Sequence, residues 1–246
     1  MRTGELIGSG RSADVFALDR DWVLRRYRGG GDTAAEAVVM AYVAEHGYPV
    51  PRVRDIARTG RDPLPPTDLV IQRLRGTSLL EALRRGNVTA AETGAVLADL
   101  LNRLHRIPAR LSTGAGDRVL HLDLHPDNVM LTPDGPVVID WCNSREGPPG
   151  LDWGMSALIL AQAAVGTPSE AWPVRAVLAS LLEHLTPAVD FGDAATGCLA
   201  EARKRRAADP ATGEGGERVL DEAMGLVLEL KRSMRGRTSV RRSRRG

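Results

Sequence analysis

The chain is poor in cysteine, aromatic residues and lysine, and it has no long hydrophobic run. Two cysteines in 246 residues, Cys142 and Cys198, make neither a disulfide framework nor a metal quartet, which points to a reducing compartment. The longest apolar stretch, Met155 to Val165, is too short to cross a bilayer. Met1-Arg2-Thr3-Gly4-Glu5 lacks the apolar core of a signal peptide, so a cytoplasmic protein without a membrane partner is expected. Lysine occurs only at Lys204 and Lys231 among 33 Lys and Arg residues. With abundant Ala, Gly and Pro, this suggests a GC-rich, bacterial genome. The net charge of +2 hides an asymmetry. Lys231 to Arg245 holds eight basic residues and no acid, leaving −6 on the remainder. A basic tail can touch nucleic acid, but a solvated, flexible terminus over residues 236–246 is the plainer reading. No nucleic-acid partner is expected, and a monomer is.

What is present is concentrated in His121-Leu122-Asp123-Leu124-His125-Pro126-Asp127-Asn128, with Val137-Val138-Ile139 and Asp140-Trp141 behind it. An Asp, an Asn five residues on and a second Asp after a short strand have the spacing of a catalytic loop and a metal-binding strand in phosphoryl transfer. In that pattern Asp123 takes or orients the proton of an attacking hydroxyl. The Asn128 amide oxygen suits Mg2+. The Asp140 carboxylate bridges the metal to the β- and γ-phosphates of ATP. Thr132 to Pro136 reads as a turn, so Asn128 and Asp140 return to the same end of a strand-turn-strand.

Upstream, Gly8-Ser9-Gly10-Arg11-Ser12-Ala13 leads into the strand-like Val15-Phe16-Ala17-Leu18. Gly8, Gly10 and Val15 fit a glycine-rich loop whose amides can approach phosphate oxygens, with Ala13 in place of the third glycine. A Rossmann turn would need a helix there instead. Trp22 to Tyr27 is the next strand, with Val23 and Arg25 (or Arg26, if the register slips) as candidates facing the nucleotide. A helix is expected from about Thr33 to His46, with Val39, Met40 and Val43 inward. Glu36 is either the acid of a Thr33-x-x-Glu36 capping box or the acid that orients the strand cation. Leu69 to Leu74 reads as a buried strand, with the backbone around Gln72 and Leu74 meeting adenine. Beyond Ser78 the periodicity is helical, with Val96, Leu97, Leu100, Leu101 and Leu104 on one face of a helix over residues 89–107. His105 near its end reads as structural or dipole-complementing.

The run from His121 to Leu131, ending in Val137-Val138-Ile139-Asp140-Trp141, resembles the aminoglycoside phosphotransferase and choline kinase family. The order of glycine loop, third strand, Glu36 helix, crossover, catalytic loop and metal strand extends the resemblance over roughly residues 4–230. It implies an α+β, two-lobed, protein-kinase-like fold. The N-lobe (1–74) would hold an antiparallel sheet and one helix, the mainly helical C-lobe (75–235) the catalytic loop and acceptor pocket. It also implies an ATP- and Mg2+-dependent kinase acting on a hydroxyl of a small molecule, with Asp123 as base, Asn128 and Asp140 as metal ligands, and Asp152 bracing the catalytic loop. In that family the C-terminal helices line the acceptor pocket, where Asp190, Asp193, Glu201 and Glu222 are unassigned acids. The strand cation departs from the family, which has Lys where Arg25 stands. That departure carries an alternative: a weak or inactive ATP-binding, kinase-like regulatory protein. A zinc hydrolase built on His121, Asp123 and His125 leaves Asn128 and Asp140 without roles.

Overall fold

The structure is a computed structural model that describes residues 4–10, 12–30, 33–54, 64–166, 171–185, 191, 197–209 and 216–243. The chain divides into two compact units, Met1–Ser78 with Asn128–Ser144, and Leu79–Asp127 with Arg145–Gly246. The segment that carries Asn128 and Asp140 thus belongs with the N-terminal residues, whereas the sequence reading groups it with the helices.

The first unit is built on an antiparallel sheet of β1 (Leu6–Ser9), β2 (Ala13–Ala17), β3 (Trp22–Tyr27) and β4 (Asp68–Gln72), in that order. β3 is interior, paired on both sides, and Leu24 with Val70 forms a core sealed by Phe16, Leu18, Trp22 and Leu64. Helix α1 (Ala34–Glu45) turns Glu36, Met40 and Val43 inward, positions spaced for one helical face. Of the two roles open to Glu36, the capping box with Thr33 does not form. The Thr33 hydroxyl donates to the Asp68 carbonyl, and Glu36 is turned into the protein. Val53 bridges Ile71. The sequence pattern also suggests a strand over Val53 to Ala57; Arg54 gives its amide to the Val70 carbonyl, and residues 55–63, like Arg11 and Asp32, lie outside the described residues.

A second small sheet in this unit runs β5 (Thr77–Ser78), β7 (Val129–Thr132), β8 (Gly135–Val138). Gly76 before β5 has φ +145°, and a Cβ there would lie 1.8 Å from the Leu131 carbonyl oxygen. Only glycine lets the two backbones come this close. Gly135, φ +114°, closes the tight β7–β8 turn expected from Thr132 to Pro136.

The second unit is helical, with α2 (Leu79–Arg84), α3 (Ala90–Leu104), α4 (Pro149–Gly166), α5 (Ala171–Glu183), α6 (Cys198–Ala207) and α7 (Gly216–Ser243). A two-stranded ribbon joins β6 (Arg118–Leu120) to β9 (Arg145–Gly147). A capping box does form at the start of α3. The Glu92 amide donates to the Thr89 hydroxyl, and the Thr89 amide donates to the Glu92 carboxylate. Leu97, Leu100, Leu101 and Leu104 of α3 are fully buried, and α4 packs on α5, α6 and α7. Helix α7 continues through Ser243, so the backbone over residues 236–243 is helical where a flexible tail is expected. Among the described residues no helix is long and apolar enough to cross a membrane.

Candidate active site

Arg25 of β3 sits opposite Val15 and Leu69 in the sheet and is only 8% exposed. Its guanidinium fork spans two acids. Nη1 donates to Glu36 Oε1 at 3.0 Å, and Nη2 is paired with Asp140 Oδ1. The neighbouring Arg26 is bound instead to Asp68, at 2.6 and 2.8 Å, so the register places Arg25 at the site. Glu36, 5% exposed, accepts three bonds. These come from Arg25, from the Tyr27 hydroxyl at 2.7 Å and from the Trp141 amide at 3.2 Å. Tyr27 follows Arg25 by two residues and so shares its face of the strand. Its ring lies under the guanidinium, 4.7 Å from ring centre to Cζ, a cation–π arrangement.

Burial drives the protonation of this cluster. It pushes the Glu36 carboxyl above its ordinary value, although Arg25 and Tyr27 pull it back. Burial works against the Arg25 charge, but Asp140 and Glu36 outweigh it and hold its pKa above the usual guanidinium value. The Tyr27 hydroxyl is raised by burial and then by Glu36. Cys142, whose thiol donates to Asp140 Oδ1 at 3.1 Å, is pushed up to about 12 by burial and the Asp140 charge.

Asn128 enters β7 and Asp140 leaves β8. The Ile139 amide donates to the Asn128 carbonyl at 3.0 Å, which brings both to one end of the hairpin. Asp140 has φ +67°, a left-handed conformation that non-glycine residues hold at a cost on the order of 1–3 kcal/mol. A carboxylate and a buried amide at one hairpin end are hard oxygen donors. They fit a magnesium ion, which takes one or two protein ligands and completes its shell with phosphate and water. Among the described residues no group of three or more His, Cys, Asp and Glu is placed to hold a metal. In the glycine loop, the Gly10 amide donates to the Ala13 carbonyl at 2.9 Å, and Gly8 pairs with Val15. Val23 is buried opposite Ala17 and Ile71. The Gln72 amide is already given to the Arg52 carbonyl and the Arg73 amide to that of Asp21. Of the three amides from Gln72 to Leu74, this leaves that of Leu74 as the candidate donor to adenine.

In the helical unit, Asp123 follows β6 by three residues. Its amide donates to His121 Nδ1 at 3.2 Å, and its carboxylate lies 3.9 Å from His125 Nε2, beyond hydrogen-bond reach. Asp152, in the first turn of α4 and fully buried, accepts the His121 amide at 2.9 Å and the Leu122 amide at 2.7 Å. His105 Nε2 lies 3.0 Å from the same carboxylate. Burial alone would raise the Asp152 pKa, but the His105 bond and the backbone donors carry it below the ordinary value. Among the described residues, Leu122, φ +63°, is the other non-glycine residue in the left-handed region. Tyr27, Trp141, Cys142 and Leu122 are named by the sequence only as parts of a strand, a motif or the cysteine count and carry no site role there. Only Tyr27 had a signal there, its two-residue spacing from Arg25. Asp190 and Asp193 lie outside the described residues. Glu201 and Glu222 pair along their own helices with Arg205 and Arg218, at 3.2 and 2.9 Å.

A family model described as a phosphotransferase enzyme family matches residues 3–118 and 114–179. The chain belongs to this family. No curated protein matches it. Among solved structures, this phosphotransferase is similar to a choline/ethanolamine kinase family protein from Mesorhizobium loti. That match has 17% identity and a TM-score of 0.50, covering 92% of this chain and 87% of the other. It is also similar to APH(2")-IIa in complex with gentamicin, with 13% identity, a TM-score of 0.51 and coverage of 92% and 91%. A third is the amicoumacin kinase hAmiN in complex with AMP-PNP, Ca2+ and Ami, with 15% identity, a TM-score of 0.51 and coverage of 89% and 87%. At these identities the likeness speaks to fold, and it is the kinase-like α+β fold described above.

Proposed function

We propose that the phosphotransferase moves the γ-phosphate of ATP to a hydroxyl of a small molecule, with Mg2+ held by Asn128 and Asp140. The observation that carries this reading is the Arg25 fork. A buried cation on the sheet, oriented by a helix acid and touching the acid at the hairpin end, is the arrangement that grips and neutralises a polyphosphate. Magnesium held by Asn128 and Asp140 would supply charge neutralisation for the phosphate being transferred. Asp123 takes the acceptor's hydroxyl proton as the oxygen-to-phosphorus bond forms, and the bond from Pγ to the β-bridging oxygen breaks to leave ADP. Asp152 keeps the Asp123 loop in place. Glu36, with Tyr27 and the Trp141 amide around it, fixes the angle of Arg25. The gentamicin and amicoumacin complexes of similar fold favour a polar, hydroxylated acceptor.

A second reading has one observation of its own. Arg25 stands where the resembled family has Lys, and its fork already occupies Asp140. A protein that binds ATP without efficient transfer would fit that pairing. One screen separates the two. ADP formation is followed with MgATP against aminoglycosides, choline-like amines, sugars, nucleosides and amino-acid alcohols. Acceptor-dependent ADP release supports the kinase. MgATP binding with no acceptor-dependent release supports the regulatory reading, and no MgATP binding rejects both.

A further inference from the structure

We infer that Tyr27 is a positioning residue that fits the cation site of β3 to a guanidinium. Its ring carries Arg25, and its hydroxyl turns Glu36 to meet it. This rests on the reading of Arg25 as the cation that grips ATP. Every residue involved lies in the first unit.

Register sets the placement. Ala13, Val15 and Ala17 of β2 stand opposite Tyr27, Arg25 and Val23 of β3, so these side chains share one face of the sheet. The large ring of Tyr27 thus has a small, buried partner, Ala13, across the ladder. The backbone that carries the ring is held on both sides. The Tyr27 amide donates to the Thr67 carbonyl at 3.0 Å, and the Arg28 amide donates to that of Ser12 at 2.9 Å. Ala13 and Arg25 are also the two positions at which the sequence departs from the glycine-loop and strand-cation patterns. Both are neighbours of Tyr27.

Tyr27 then closes a triangle. The Arg25 Cζ is 4.7 Å from the ring centre, and the hydroxyl donates to Glu36 Oε2 at 2.7 Å. The other carboxylate oxygen, Oε1, accepts Arg25 Nη1 and the Trp141 amide. The hydroxyl therefore holds the oxygen that Arg25 does not use, and so sets the rotation of the carboxylate on which the Arg25 bond depends. A guanidinium is planar. It stacks on a ring and still donates from its edge to two acids, here Glu36 and Asp140. A Lys ammonium is a point charge without that plane. Phenylalanine would fill the same space but leave Glu36 Oε2 without this donor. Leucine would also remove the face on which the guanidinium rests.

The test uses the full chain. Tyr27→Phe keeps the ring and drops the hydroxyl, Tyr27→Leu drops both, and each is repeated in an Arg25→Lys background. Without nucleotide, NMR of the arginine side chains reads the fork itself, and Arg25→Lys assigns its signals. In wild type the Arg25 N–H signals are shifted upfield by the ring and exchange slowly with water. Tyr27→Phe keeps the upfield shift but exchanges faster, and Tyr27→Leu loses both properties. With nucleotide, calorimetry gives the Kd for MgATP. It rises about threefold in Tyr27→Phe and about 30-fold in Tyr27→Leu, the losses expected for one hydrogen bond and then for a partly desolvated cation–π contact. The step from Phe to Leu is thus about tenfold, and it shrinks to under about threefold in the Arg25→Lys background, where the stacked plane is gone. A side chain that only filled space would cost the same in both backgrounds. Equal steps in both, or Arg25 signals in Tyr27→Leu that match wild type, overturn the inference. Where Tyr27→Leu does not fold, Tyr27→Phe decides: faster Arg25 exchange supports the positioning and unchanged exchange overturns it. Where the Arg25 signals change as expected but wild type binds no MgATP, the positioning stands and the reading of Arg25 as the grip on ATP falls.

Discussion

Replacing Arg25 by Met tests whether the buried fork holds the sheet, α1 and the hairpin end together. Arg25 and Glu36 are 8% and 5% exposed, so their charges are compensated by each other rather than by water. Removing one partner of such a pair costs about 3–5 kcal/mol, because the other is left as an unpaired buried charge. For a chain of this size, at roughly 2–4 °C per kcal/mol, the melting temperature falls by about 6–20 °C. The sign of the pH dependence follows from Glu36. Burial already holds its folded pKa above the ordinary value while Arg25 pulls it down. Without Arg25 the value rises further. A carboxyl with a raised folded pKa favours the folded state below its unfolded pKa and loses that benefit as pH rises through the folded one. The deficit of Arg25→Met is therefore largest at pH 8 and shrinks towards pH 5 as Glu36 takes up a proton. Arg25→Lys keeps a charge but not the fork, and gives up one charge-assisted bond, about 1.5–3 kcal/mol. Thermal and urea unfolding followed by circular dichroism at both pH values gives these numbers. A loss under about 1 kcal/mol for Arg25→Met, or a deficit unchanged between pH 5 and 8, would refute the reasoning.

Two further outcomes follow from the same unit. Gly76→Ala should cost about 2 kcal/mol or more in a urea melt, since its Cβ would meet the Leu131 carbonyl oxygen and its φ is +145°; an unchanged midpoint would mean that β5 and β7 are not packed as described. Cys142, its thiol pushed up to about 12, should be thiolate to about one part in 10⁴ at pH 8 and alkylate correspondingly slowly with iodoacetamide. Labelling of Cys142 at the rate of free cysteine would show that the thiol is neither buried nor beside Asp140.

Local spacing made much of this protein legible. His121 to Asn128, the β3 strand and the strand-turn-strand to Asp140 are contiguous segments whose residues carry their own signals. What stayed hidden depends on partners distant in sequence. Glu36 and Thr33 spell a capping box, and so do Glu92 and Thr89, yet only the second pair forms one. At α1 the Thr33 hydroxyl finds the Asp68 carbonyl, and Glu36 finds Arg25, Tyr27 and the Trp141 amide. Nothing within the helix itself distinguishes the two cases. Which backbone amides could meet adenine was similarly beyond reach, because the Gln72 and Arg73 amides are taken by Arg52 and Asp21 across the fold. Asp152 entered through family resemblance alone, and His105 as a residue at a helix end. Their meeting joins positions 47 residues apart.

The measurement that bears most directly on the kinase reading is a paired one on wild type and Asp123→Asn. MgATP binding is followed by calorimetry, and acceptor-dependent ADP release by a coupled assay. The proposed role predicts that Asp123→Asn binds MgATP within about threefold of wild type, a difference of under 1 kcal/mol, and loses turnover by about 10²-fold or more. Turnover retained in Asp123→Asn, or a wild type that binds no MgATP, would contradict it.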